Sequence, residues 1–216
     1  MIKIIVAESM RKFVGTIGCM LLCLALPVLA QQEGARDILR RAADTFLREG
    51  GVYVSFSLRS SEGLSSGTLR LKGEKFVLEA GGMTTWFDGH TQWTYLPSSD
   101  EVNISEPTDE ELQTLNPYAW LYLYDREYDL QSLPAETSGQ YKIEMSARSA
   151  GEQVERLVLW LDKSGLHPVK FSLTLAGNVE PTLITVRDYR TRQPYTDAMF
   201  VFDPGEYPTA EVIDLR

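Results

Sequence analysis

Apolar and polar residues follow three successive patterns along this chain. Residues 13–26 are an unbroken run of apolar and small side chains, preceded by Arg11 and Lys12 and ended by Pro27. From 35 to 49 the apolar residues Ile38, Leu39, Ala42, Phe46 and Leu47 recur at helical spacing. Arg36, Arg40, Arg41, Asp44 and Arg48 take the other side, and Gly50-Gly51 follows. This predicts an amphipathic helix over 35–49. The period then becomes two: Val52, Val54, Phe56 and Leu58 alternate with Tyr53, Ser55, Ser57 and Arg59, as in a half-buried strand.

The alternation continues through Leu69 and Leu71, then Phe76 and Leu78, with turn signals at Gly63, Gly73, Gly81-Gly82, Asp88-Gly89 and 97–100. Asp88-Gly89 predicts a tight two-residue hairpin, because both residues tolerate positive φ. Short strands at even spacing describe an antiparallel meander. It pauses after Ile104. Thr108 and Glu111 form a capping box, and Asn116-Pro117 starts a second helix whose residues Tyr118, Trp120, Leu121, Tyr122, Leu123 and Tyr124 leave little polar face. Strands resume with Tyr141, Ile143 and Met145, then Leu157, Leu159 and Leu161, then Val169, Phe171, Leu173 and Leu175. One more is expected over about 181–189, and a last edge strand around 199–202.

About ten or eleven antiparallel strands in one meander must curl. The expected fold is mainly β (α+β): a strongly curved, half-open antiparallel barrel covered by the N-terminal helix and a helical lid insert. Residues 31–216 read as a single domain.

The N-terminal pattern predicts a signal peptide over residues 1–30, with Val28-Leu29-Ala30 as the cleavage signal and Gln31 as the first mature residue. Met1 and Met10 both remain candidate starts. The chain has 216 residues and two cysteines, Cys19 and Cys23, both inside that segment. Cys23 follows two leucines where lipid attachment needs a small residue. The expected mature chain therefore has no disulfide, thiolate metal site or cysteine nucleophile. The net charge is −9, and losing Lys3, Arg11, Lys12 and Glu8 leaves −11. Such acidity argues against nucleic acid as a partner and against a basic membrane-adhesive patch; it fits a soluble protein.

Catalytic signatures are missing from the sequence. It has no Gly-x-Ser-x-Gly elbow, phosphate loop or HExxH. His90 and His167 lack partners at metal-ligand spacing and read as turn residues, so no cofactor is expected. Asp109-Glu110-Glu111 suits the first turn of a helix. Aromatics say more: Trp86, Trp93 and Tyr95 flank the Asp88-Gly89 turn, and the insert adds Tyr118, Trp120, Tyr122 and Tyr124. Core packing explains them, and so does the lip of an apolar groove that meets water.

These residues resemble the periplasmic outer-membrane lipoprotein carriers, the LolA-like family. The resemblance runs through Gly67-Thr68-Leu69-Arg70-Leu71-Lys72, Lys75-Phe76 and Asp88-Gly89-His90-Thr91-Gln92-Trp93-Thr94-Tyr95. It continues with Glu101-Val102, Leu115-Asn116-Pro117-Tyr118 and Phe200-Val201-Phe202-Asp203-Pro204. It implies a periplasmic, non-enzymatic chaperone that shields the acyl chains of lipoproteins between the inner and outer membranes. An inner-membrane lipoprotein-releasing ABC transporter would supply the cargo; whether an outer-membrane acceptor exists stays open, and a monomer is expected. Gly73 stands where the family commonly has a lid-latching arginine, which makes Lys72 the latch candidate, with a point charge in place of a planar fork.

On this reading Phe46, Val54, Phe56, Leu69, Leu71, Phe76, Leu78, Leu159, Phe171 and Leu173 line the lipid cavity. Leu115, Tyr118, Trp120, Leu121 and Leu123 face it from the lid, and Trp86, Trp93 and Tyr95 lie at its lip. A charge at Phe76 or Leu121 is expected to weaken acyl binding more than folding. Two other readings stay open: a lipid sensor on the same fold, and a β protein with a filled core.

Overall fold

The helix α1 covers Ala35–Glu49, as its periodicity predicts. Asp37 in the first turn and Arg48 in the last complement the helix dipole, and Gly50 ends the helix at φ 73°. Ala35, Ile38, Leu39, Ala42 and Phe46 form its buried stripe. Each of Ile38, Leu39 and Phe46 gains about 1.5–3 kcal/mol by leaving water. The computed structural model describes residues 34–109, 111–112, 118, 124, 128–149 and 153–216.

The strands are β1 (Gly51–Ser60), β2 (Gly63–Lys72), β3 (Lys75–Ala80), β4 (Met83–Phe87), β5 (Gln92–Leu96), β6 (Glu101–Ser105), β7 (Tyr128–Leu133), β8 (Gln140–Ala147), β9 (Val154–Asp162), β10 (Pro168–Leu175), β11 (Thr182–Gln193) and β12 (Glu211–Asp214). They form one open sheet in the order β12-β6-β5-β4-β3-β2-β1-β11-β10-β9-β8-β7. Each half is a meander, and the central β1–β11 pairing joins the two halves. All pairings are antiparallel except β12–β6. The sheet is a long, curved half-barrel that does not close.

Register assigns the faces. Val54, Leu69, Leu78 and Thr85 are cross-strand neighbours, as are Val52, Leu71, Phe76 and Phe87. With Phe171, Leu159, Ile143 and their alternates, they build the larger core on the concave face, around α1. Gly67 permits one close approach there: a Cβ at this position would lie 2.6 Å from the Phe56 ring. The convex face holds a smaller cluster of Val77, Trp86, Val102, Phe200 and Phe202.

The structure departs from the sequence reading at several places. Asp88-Gly89 belongs to a four-residue connection, because the Asp88 carboxylate accepts the backbone N–H groups of His90 (2.9 Å) and Thr91 (2.8 Å). β7 is a strand the sequence reading passed over, although Tyr128 and Leu130 alternate with Asp129 and Gln131. Phe200 and Phe202 do not form an edge strand. A 3-10 helix spans Asp197–Phe200, and both rings press onto the convex face, while β12 takes the β6 edge.

On the convex face Trp160 lies under two ammonium groups, Lys170 at 4.1 Å and Lys142 at 4.9 Å from the ring centroid. Its indole N–H donates to Glu136 at 2.7 Å, and Lys142 reaches the same carboxylate at 2.7 Å. The Lys142 bond, then the Trp160 bond, hold the Glu136 carboxyl down to about 2. A depressed folded-state value stabilises the fold above the unfolded carboxylate range, and that contribution fades as pH falls towards 2. The Glu136→Gln variant is therefore expected to have a lower Tm than the parent at pH 6, with the gap closing between about pH 4.5 and 2. Thermal melts across that range check it.

Candidate functional site

The concave face is the candidate site. Strand alternation delivers Val54, Phe56, Leu69, Leu71, Phe76, Leu159, Phe171 and Leu173 to it, all buried, with Leu78 partly buried at its margin. Phe46 reaches the same cluster from α1. Ile38, Leu39, Ile143, Met145, Leu157 and Ile184 share the cluster and were absent from the expected set. Their signal was present: Ile143, Leu157 and Ile184 pair with the chosen Leu159, Leu173 and Phe171, Met145 pairs with Leu157, and Ile38 and Leu39 lie on the same α1 stripe as Phe46.

The insert after β6 begins at one end of the barrel, where Gln92 pairs with Ser105. β7 begins at the other, where Tyr128 pairs with Ala147. The insert opens with the expected capping box: the Glu111 N–H donates to the Thr108 hydroxyl at 3.3 Å, and the Thr108 N–H to the Glu111 carboxylate at 2.8 Å. Leu112 and Tyr124 pack against the concave cluster. Tyr118 goes deepest, at 1% exposure. Its ring centroid lies 5.6 Å from Phe46, 5.8 Å from Phe171 and 6.4 Å from Tyr189. Leu115, Trp120, Leu121 and Leu123, and the helix expected from Asn116, lie outside the described residues.

A polar thread runs beside these rings. The Tyr189 hydroxyl donates to Glu49 at the end of α1 at 2.6 Å, and His167 stacks on the Tyr189 ring at 4.7 Å. Burial, then the neighbouring Tyr118, then the Glu49 bond all raise the Tyr189 phenol's pKa. Burial, then the Glu49 charge, raises that of Tyr118. Both remain neutral side chains whose rings are available to apolar contacts.

Past β4 the concave face turns polar. Thr85 and Thr94 approach at 3.3 Å, and the Gln92 amide donates to Thr94 at 3.3 Å. A pocket of about 610 Å³ opens at this end, lined by Gln92, Ser105, Glu106, Glu111 and Arg216 among others. The concave face is thus apolar around α1 and carries polar side chains beside β5, next to a pocket that Pro107 and Leu215 also line. Among the described residues, no group of three or more His, Cys, Asp or Glu is placed to hold a metal ion.

Some expected site residues stand elsewhere. Trp86, Trp93 and Tyr95 alternate with the concave Phe87, Gln92 and Thr94, and so face the convex side. There Trp86 meets Phe202 at 5.6 Å, and Tyr95 meets Tyr207 at 4.6 Å. Lys72 follows Leu71 and likewise points away from the trough. Its ammonium donates to the Tyr195 carbonyl at 3.0 Å and to Asp197 at 2.9 Å, both in the C-terminal segment. One-residue alternation is the physical reason in each case.

Residues 26–175 match the model of the family described as outer membrane lipoprotein carrier protein LolA. No curated protein matches the chain. Among solved structures, a conserved protein of Thermus thermophilus is similar over 83% of this chain and 98% of its own, at 16% identity and a TM-score of 0.59. A putative outer membrane lipoprotein-sorting protein domain from Vibrio parahaemolyticus is similar over 77% and 95%, at 14% identity and a TM-score of 0.47. A LolA superfamily protein from Nitrosomonas europaea is similar over 79% and 98%, at 15% identity and a TM-score of 0.42. This chain belongs to the outer membrane lipoprotein carrier protein LolA family.

Proposed function

We propose that this family member is a periplasmic carrier that takes the acyl chains of lipoproteins into its concave face and ferries them from the inner to the outer membrane. Residues 1–30 serve as its cleaved export signal in this reading, and an inner-membrane ABC transporter supplies the cargo. The carrying observation is the continuous apolar concave face, against which α1 and Tyr118 pack. No bond is made or broken; the activity is reversible binding.

Energetics support a cover of this kind. Each acyl methylene leaving water gains about 0.8 kcal/mol, so a long chain gains on the order of 10 kcal/mol gross. A carrier must release what it holds. The trough already contains α1 and Tyr118, so entry requires those contacts to loosen, which subtracts from the gross gain. Competition between the chain's own apolar groups and the cargo brings the affinity into a reversible range.

The test separates binding from folding. Phe76 is fully buried, with its ring 5.3 Å from Phe87, so a carboxylate there removes the fold together with any binding. Leu121 in the insert is the better position. The Leu121→Glu variant is expected to bind a fluorescent acyl probe at least tenfold more weakly, on the scale of an apolar contact replaced by a charge, with its thermal melt near the parent's. Lipid co-purifying with the parent, seen by mass spectrometry, would agree. A parent that binds no acyl probe, or a variant that binds it as well as the parent, would sink the proposal.

A further inference from the structure

The hairpin connections at the two ends of the half-barrel differ in chemistry, although Leu47 near the end of α1 and Leu215 after β12 are exposed near the first end. At one end lie the connections 73–74, 88–91, 134–139 and 163–167, which carry Glu74, Asp88, His90, Glu136 and Lys163 and no exposed large apolar side chain. At the other end, three hairpin connections each present one. Leu64 beside the β1–β2 turn is 74% exposed, Met83 after the β3–β4 turn 43%, and Val179 in the β10–β11 turn 97%. Register places them together: Arg59 pairs with both Leu64 and Leu183, so the β1–β2 tip and the β10–β11 turn project from the same end, and Ala80 pairs with Met83 at that end of β3.

These tips are built of small residues. Segments 60–67, 80–84 and 176–181 contain serine, glycine, alanine, threonine, asparagine and proline beside the three apolar side chains, and their only charges are Glu62 and Glu180. The three apolar side chains stand on three different hairpins, one apiece. They fit a fluid partner that closes around each finger. One strand position inward, the exposed Arg59 stands beside Leu64, where its guanidinium would meet a phosphate. The same end also receives the concave strands Phe56 and Leu173 lead into, so a chain passing from a bilayer to the trough would stay beside apolar surface.

We propose that the protein docks on a lipid bilayer through this rim, inserting Leu64, Met83 and Val179 into the headgroup–acyl boundary. The partner is a zwitterionic surface, since Glu62 and Glu180 on the tips oppose an anionic one and the neighbouring connections add one described charge of each sign, Asp100 and Arg148. Docking goes beyond the carrier reading and needs no lipoprotein.

Co-sedimentation with sucrose-loaded phosphatidylcholine vesicles tests it, using the parent and the triple variant Leu64→Ser, Met83→Ser, Val179→Ser. Because the three side chains are exposed, the thermal melt should not change, while vesicle partition should fall on the order of a hundredfold. Adding phosphatidylglycerol should weaken parental binding or leave it unchanged. The proposal is overturned if the parent does not sediment, or if the variant sediments equally well. Binding that rises steeply with anionic lipid, or apolar tips that instead drive self-association, would overturn it as well. Acyl-probe binding, measured in parallel without vesicles, keeps the two readings apart. The triple variant should retain the parent's probe affinity, and losing it would place the three side chains in the cargo site and sink the docking proposal. A parent that docks but binds no probe would fail the carrier reading alone.

Discussion

Replacing Tyr118 by alanine is expected to lower the unfolding free energy by about 3–5 kcal/mol, the range for a large side chain lost from a packed interior. Tyr118 is the most deeply buried of the described insert residues, and three rings from α1, β10 and β11 surround it. Removing it leaves a ring-sized void between the helix and the sheet, and relaxation there is limited because Phe46, Phe171 and Tyr189 are each held by their own elements. The Tyr118→Phe variant keeps the ring and should lose far less. Urea denaturation of both variants measures the difference. A loss under about 1 kcal/mol for alanine, on the same scale, would mean that the insert is not held at this point. If the carrier reading holds, the alanine variant should also exchange an acyl probe faster, since the cover has lost its anchor.

Phe200→Ala is expected to cost a similar about 3–5 kcal/mol, through a different structure. Phe200 is fully buried on the convex face, in the cluster that joins the C-terminal segment to Val77, Trp86 and Val102. Its loss leaves Trp86, Tyr95 and Tyr207 under a strap that no longer fits, and the Lys72–Asp197 and Lys75–Asp197 contacts are too exposed to hold the strap alone. Phe200 and Tyr118 belong to separate clusters on opposite faces of the sheet. The two losses should therefore add within about 0.5 kcal/mol in the double variant. A strong coupling would show that the faces communicate through the strands between them.

The strands and the first helix were readable because their signals are local. The stripe Ile38-Leu39-Ala42-Phe46 and the alternation of Val52, Val54 and Phe56 need only neighbouring residues to be understood. The family was legible too, from short motifs in a fixed order. What failed was the assignment of faces near turns. Trp86, Trp93 and Tyr95 looked like a groove lip because large aromatics suit one. Yet their partners Phe202 and Tyr207 lie more than a hundred residues away, and no local pattern announces them. Lys72 was misplaced by one step of the same alternation. The C-terminal segment was read as a strand because Phe200 and Phe202 are spaced as in one. The structure uses that spacing to aim both rings at a face, and the ladder position beside β6 goes to Glu211–Asp214.

The position of β11 has a consequence for the order of events as the chain is made. β1, near the start of the sequence, lies in the middle of the sheet, and one of its two neighbours there is β11, which ends at Gln193. Until that strand exists, β1 is a bare edge of the first meander, and α1 has only part of the surface it will rest against. Pairing across roughly 130 residues is slow to nucleate. The central seam is therefore expected to form late, joining the two halves only after nearly all of the chain is available.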